Sequence, residues 1–149
     1  MSLPLTSARQ EWMRTLALAP WAELKSAAAH LTDVAHDFMR PPETGLVMLR
    51  GRMGGSGAAF NVGEATVTRC SVRLPGDIEG HAYVMGRNPE HARLAAICDA
   101  LLQQTDHHEA VMDQIVRPLA EIQKMERLHA AQTTAATKVD FFTLVRGDV

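Results

Sequence analysis

Arginines recur at alternating positions on both sides of a glycine-rich stretch, at Arg50 and Arg52 before Gly54-Gly55-Ser56-Gly57 and at Arg69 and Arg73 after it. A guanidinium presents a planar fork of donors that clamps a phosphate or phosphonate with two parallel bonds, so this is where the chain could do chemistry on an anion. Residues 46–52 and 65–74 read as strands joined by the glycine turn. Side chains alternate along a strand, which puts Arg50 and Arg52 on one face of the first and Arg69 and Arg73 on one face of the second. If the register brings those faces together, the sheet carries a row of four guanidiniums. Arg87 joins them if it shares the face of His81, Tyr83 and Met85. Three readings fit such a row: the solvated side of a one-sided sheet, a contact for acids on a partner, or an anion site.

Other chemistries find less support. The glycine turn lacks the Gly-Lys-Ser/Thr ending of a phosphate-binding loop and opens no helix, so turn geometry explains its glycines. Ser56 lies in Gly-Ser-Gly rather than in a nucleophile elbow, and no base neighbours Cys70 or Cys98 in sequence. His107 and His108 are adjacent and so point to different sides of a helix, and no His-x-x-x-His or Cys-x-x-Cys spacing occurs. No catalytic residue, metal or cofactor is expected on this chain.

The elements that must position the arginines form a single domain over residues 1–149. Two short helices separated at Pro20 open it, with Trp12 and Leu16 in the first, Trp21, Leu24, Ala28 and Leu31 in the second, and Thr6 or Ser7 as a cap for the first. Pro41-Pro42 forbids a central strand over 33–42 and allows an edge strand or an extended entry. A turn at Pro75-Gly76-Asp77 leads to a third strand, 81–87, completing an antiparallel meander. Asn88-Pro89-Glu90 is a strong helix start, with cap, first-position proline and carboxylate in order. That helix runs to about Gln104, and its stripe of Leu94, Ile97, Cys98, Leu101 and Leu102 packs on the sheet. A long helical pattern over 106–137 is split or kinked at Pro118. The fold class is α+β, a small antiparallel sheet with N- and C-terminal helices on one face. An extended tail, 139–149, ends the chain with Phe141, Phe142 and Arg146, residues suited to contact with a partner.

Fifteen basic against seventeen acidic residues give a net charge of −2, which excludes a general nucleic-acid coat or a polybasic membrane anchor and makes any electrostatic function local. No stretch approaches the roughly 20 apolar residues that span a bilayer, and no secretory leader is apparent. Two cysteines fit buried, reduced thiols, so a cytoplasmic location is expected.

Several separated motifs, in order, carry a resemblance: Glu43-Thr44-Gly45-Leu46-Val47, Arg52-Met53-Gly54-Gly55-Ser56-Gly57, Gly63-Glu64-Ala65-Thr66-Val67-Thr68-Arg69, Gly86-Arg87 with His91-Ala92, and Val139-Asp140-Phe141-Phe142-Thr143-Leu144-Val145-Arg146-Gly147-Asp148. Together they resemble the PhnG family, subunits of the bacterial carbon-phosphorus lyase core complex, over nearly the whole chain. The resemblance implies phosphonate breakdown under phosphate limitation, in a transferase complex that displaces adenine from ATP with an alkylphosphonate to give ribose 1-alkylphosphonate 5-triphosphate. It implies PhnI, PhnH and PhnJ subunits and the ATP-binding-cassette protein PhnL as partners. Since the family's purine-releasing activity is placed on PhnI, it also implies an accessory subunit that is inactive alone. The alternative is a scaffold that only holds the complex together. Under the resemblance Arg52, Arg69, Arg73 and Arg87 become candidate anion contacts, and Phe141, Phe142 and Arg146 candidate partner contacts. Isolated from its partners, the chain is expected to self-associate.

Overall fold

Three strands pair antiparallel in the order β1-β2-β3, with β1 at Asp37–Arg52, β2 at Ala59–Leu74 and β3 at Ile78–Met85. This computed structural model describes residues 5–136, so the tail with Phe141, Phe142 and Arg146 lies outside the described residues. The expected meander and α+β class are present. β1 takes in Pro41-Pro42 because it is an edge strand, and the register slips between Phe38 and Arg40 and again between Arg40 and Glu43, around the prolines. Gly76 and Asp77, both at positive φ, make the β2–β3 turn.

One face of the sheet is covered by helices. Helix α1 spans Leu5–Ala17 and α2 spans Trp21–Ala27, with Pro20 between them. Thr6 and Ser7 therefore lie inside α1 rather than capping it, the helix having begun earlier than its polar residues suggest. Trp12, Leu16, Leu24, Ala28 and Leu31 are all buried, as their spacing requires. Helix α3, Pro89–Leu102, starts as expected: the Asn88 side-chain oxygen accepts the His91 N–H at 3.0 Å, and Pro89 opens the first turn. Apart from Arg93, every residue from His91 to Leu102 is buried, because α3 is sandwiched between the sheet and the other helices. Its backbone comes so close to β3 that a Cβ on Gly80 would lie 2.0 Å from the Ala96 carbonyl oxygen.

A buried acid locks these layers together. Asp99 is fully buried on α3 and accepts bonds from Arg9 Nε and Nη2 at 3.1 and 2.8 Å, Trp12 Nε1 at 2.9 Å and the His81 backbone N–H at 2.9 Å. One carboxylate thus joins α1, α3 and β3 with its lone pairs satisfied. The long C-terminal pattern divides into α4, Thr105–Val111, a π-helical turn, Met112–Val116, and α5, Arg117–Ala136. The split falls immediately before Pro118, whose missing N–H breaks the regular ladder. Gln123 Nε2 donates to the Thr15 carbonyl at 2.8 Å and ties α5 to α1.

β3 pairs with β2 only as far as Val67, opposite Met85. Beyond that point, apart from the Thr66 carbonyl that accepts the Gly86 N–H at 2.8 Å, residues 46–52 and 59–66 pair with each other as a two-stranded ribbon roughly 25 Å long at strand rise. A short helical turn, Met53–Gly55, closes it, with Gly54 and Gly55 at φ 61° and 79° in a region that favours glycine.

Candidate functional site

The register decides whether the arginines form a row, and it separates them. Cys70, Val72 and Leu74 point into the core under α3, so Arg69 and Arg73 point to the open face of the sheet. Thr44 on β1 meets buried Thr68, hydroxyl to hydroxyl at 3.2 Å, which places the even-numbered residues of β1 on the helix-facing side. Arg50 and Arg52 belong to that set. The register explains why: Leu49 pairs with Gly63 but Arg50 pairs with Asn61, leaving Val62 of β2 as an unpaired bulge residue that reverses the alternation of β2. The expected four-guanidinium row is thus two pairs, on opposite faces and at opposite ends of β2.

Each pair has a different electrostatic setting. On the open face Arg69 Nε donates to Glu43 at 2.5 Å, and Arg73 Nη2 donates to Glu79 at 2.9 Å with Asp77 at 3.5 Å from its Nε. Tyr83 and then Glu43 hold Arg69 above its ordinary pKa, and Glu79 with Asp77 does the same for Arg73. Between these arginines His81 Nδ1 lies 2.9 Å from Ser71 Oγ. At the ribbon tip Arg52 Nη1 donates to the Gly57 carbonyl at 3.1 Å, and neither Arg50 nor Arg52 has a carboxylate partner among the described residues. Arg87 sits exposed after Gly86, in the turn between β3 and α3. Thr68 pins that turn, donating to the Gly86 carbonyl at 2.7 Å and accepting the Asn88 N–H at 3.2 Å.

The open face divides along its length into a charged half and an apolar half. The charged half holds the Arg69–Glu43 and Arg73–Glu79 pairs. The apolar half continues through Met85, Val47, Leu49, Phe60 and Val62, with glycine at 45, 51 and 63 between them. A shallow cavity of about 210 Å³ marks the boundary, lined by Glu43, Gly45, Val47, Val67, Arg69 and Tyr83. Space above Gly45 and Gly63 is open: a Cβ at either would touch nothing within 4 Å. A separate cavity of about 660 Å³ lies between α1 and α4, walled by Arg9, Trp12, Leu102 and His108, and includes none of the candidate anion contacts.

Both cysteines are buried and unpaired, and burial pushes the Cys70 thiol up to about 11 and the Cys98 thiol up to about 12, so neither is a nucleophile at neutral pH. Among the described residues no group of three or more His, Cys, Asp or Glu could hold a metal ion. Nor, among them, is any helix long and apolar enough to cross a membrane. The partners Glu43 and Glu79 went unseen in the sequence because cross-strand pairing needs the register. Asp99 does carry a signal in the sequence, as a single acid inside the otherwise apolar run from Leu94 to Leu102.

Comparison with known proteins adds two findings. The family model described as "Phosphonate metabolism protein PhnG" matches residues 7–147. A protein of Rhizobium meliloti (strain 1021), named alpha-D-ribose 1-methylphosphonate 5-triphosphate synthase subunit PhnG, is 46% identical over 144 residues, covering 94% of this chain and 90% of that relative.

Proposed function

This chain belongs to the PhnG family of phosphonate metabolism proteins, and we propose that it is an accessory subunit of a ribose 1-alkylphosphonate 5-triphosphate synthase. In this reading it works in the cytoplasm with PhnI, PhnH and PhnJ subunits and a PhnL-like ATP-binding-cassette protein. An alkylphosphonate oxygen attacks C1′ of the ribose of ATP, the C1′–O bond forms as the C1′–N bond breaks, and adenine leaves. Near-full-length similarity to a named synthase subunit is the observation that carries the proposal. The open sheet face and the projecting ribbon fit it, since both are surfaces that a monomer has no use for. Adenine release from ATP and methylphosphonate, measured with reconstituted subunits, tests it. Product should appear only when this chain is included, and the chain alone should give none. Adenine release by the isolated chain, or by a mixture lacking it, would overturn the reading.

Arg69, Arg73 and Arg87 are proposed contacts for the phosphonate or triphosphate, Arg52 lying on the opposite face of the sheet from Arg69 and Arg73, and Phe141, Phe142 and Arg146 are proposed contacts for a partner subunit. A second reading, a scaffold that only holds the complex together, draws on the ion pairs already made by Arg69 and Arg73. Those guanidiniums would have to exchange Glu43 and Glu79 for an incoming anion. Alanine at Arg69, Arg73 and Arg87 separates the two readings. Assembly retained with product lost supports anion contact, whereas assembly lost supports the scaffold.

A further inference from the structure

The ribbon formed by residues 46–52 and 59–66 carries apolar side chains that no other described residue covers. On the open side Leu49, Phe60 and Val62 are 45%, 46% and 60% exposed, and they continue into Met85 at 62%. No charged residue interrupts this side of the ribbon, and the space above Gly63 within it and Gly45 at its base is open. On the helix-facing side, by contrast, the ribbon's charges are Arg50 and Arg52 at the tip and Glu64 nearer the body. A two-stranded ribbon is marginal in water by itself, and large apolar residues at its end add nothing to a monomer's stability.

We infer that the ribbon is a docking arm that inserts into a different subunit, in an apolar cleft whose rim supplies carboxylates to Arg50 and Arg52. Leu49, Phe60 and Val62 meet the apolar wall, and the two guanidiniums meet the acidic rim. Charge complementarity selects this occupant. Among the described residues the tip presents two cations without carboxylate partners, on the side opposite the apolar row, so a cleft that closes around the arm meets both sides, whereas a second copy packed apolar side to apolar side would leave the guanidiniums in water. Apolar contact supplies the affinity while the cationic tip fixes orientation, the division seen generally in protein interfaces. The inference rests on the synthase-subunit reading and adds to it the surface and the chemistry of the partner.

The test is co-purification of tagged chain co-expressed with the PhnH, PhnI and PhnJ subunits, comparing wild type with a Leu49→Ser, Phe60→Ser, Val62→Ser variant and with Arg50→Glu, Arg52→Glu. All five side chains are exposed, so the free variants should melt within about 2 °C of wild type. The apolar variant should lose at least about tenfold of the captured subunits, and the charge-reversed one several-fold, more at low salt than at high. Wild-type capture by the apolar variant would overturn the docking arm. Failure of the wild type itself to capture any subunit would instead sink the synthase-subunit reading. A photo-crosslinker at Phe60 should join the chain to another subunit. Crosslinks to a second copy, or to residues 137–149 of its own chain, would overturn the assigned occupant.

Discussion

The body of the domain and the ribbon that leaves it are made from the same two strands but solve burial in opposite ways. In the body β2 alternates strictly: Cys70, Val72 and Leu74 go under α3, while Arg69 and Arg73 face out and pair with Glu43 and Glu79. In the ribbon apolar residues occur on both sides, with Leu46 and Met48 on one and Leu49 and Phe60 on the other, and nothing in the described chain covers them. One half of the hairpin is finished by its own helices. The other half leaves large apolar side chains exposed among the described residues.

Substitutions sharpen that contrast, beginning where the body is tightest. Asp99→Ala removes the acceptor for Arg9, Trp12 and the His81 N–H together, and should cost about 3 kcal/mol, discounted for the one-third exposure of Arg9, lowering Tm by roughly 6–12 °C. Denaturant unfolding would register it. Gly80→Ala forces a Cβ against the Ala96 carbonyl and should cost about 2 kcal/mol by pushing α3 off the sheet, again read from unfolding midpoints.

A smaller effect comes from His91, which is buried, stacks on Trp21 at 5.9 Å between centroids, and has Nε2 2.8 Å from the Leu16 carbonyl. Burial lowers its pKa below the ordinary 6.5, so the unfolded chain takes up a proton that the fold resists. Stability attributable to this ring is therefore complete above about pH 6.5 and declines as the pH falls through and below it. Comparing Tm at pH 7.5 and 5.5 in wild type and His91→Gln should show a steeper acid loss in wild type. An equal loss in both would remove His91 from the explanation. The smallest effect belongs to the ribbon: Phe60→Ser or Val62→Ser should move the free chain by no more than about 0.5 kcal/mol. A larger loss in the monomer would mean that the ribbon is part of the core after all.

Much of the body could be read from residue order. Asn88-Pro89-Glu90 specifies a helix start whose cap bond forms as expected, and Pro41-Pro42 confines β1 to the edge of the sheet. The candidate site was less legible, for a definite reason. Strand periodicity assigns faces correctly only while alternation holds, and one unpaired residue, Val62, reverses it between Arg69 and the tip. Residues 59–64 do not read as a strand from residue order, since Gly63 and the bulge blur the period-two pattern. Asp99 could have been flagged as an acid in an apolar stripe, but its three donors lie on α1 and β3, far away in sequence.

Amide hydrogen exchange across residues 46–66, in the free chain and in the assembled synthase, probes the docking role most directly. Protection in this segment should rise on assembly by more than anywhere in the body, since the body is already buried in the monomer. Unchanged exchange in the ribbon, with new protection confined to other surfaces, would contradict it.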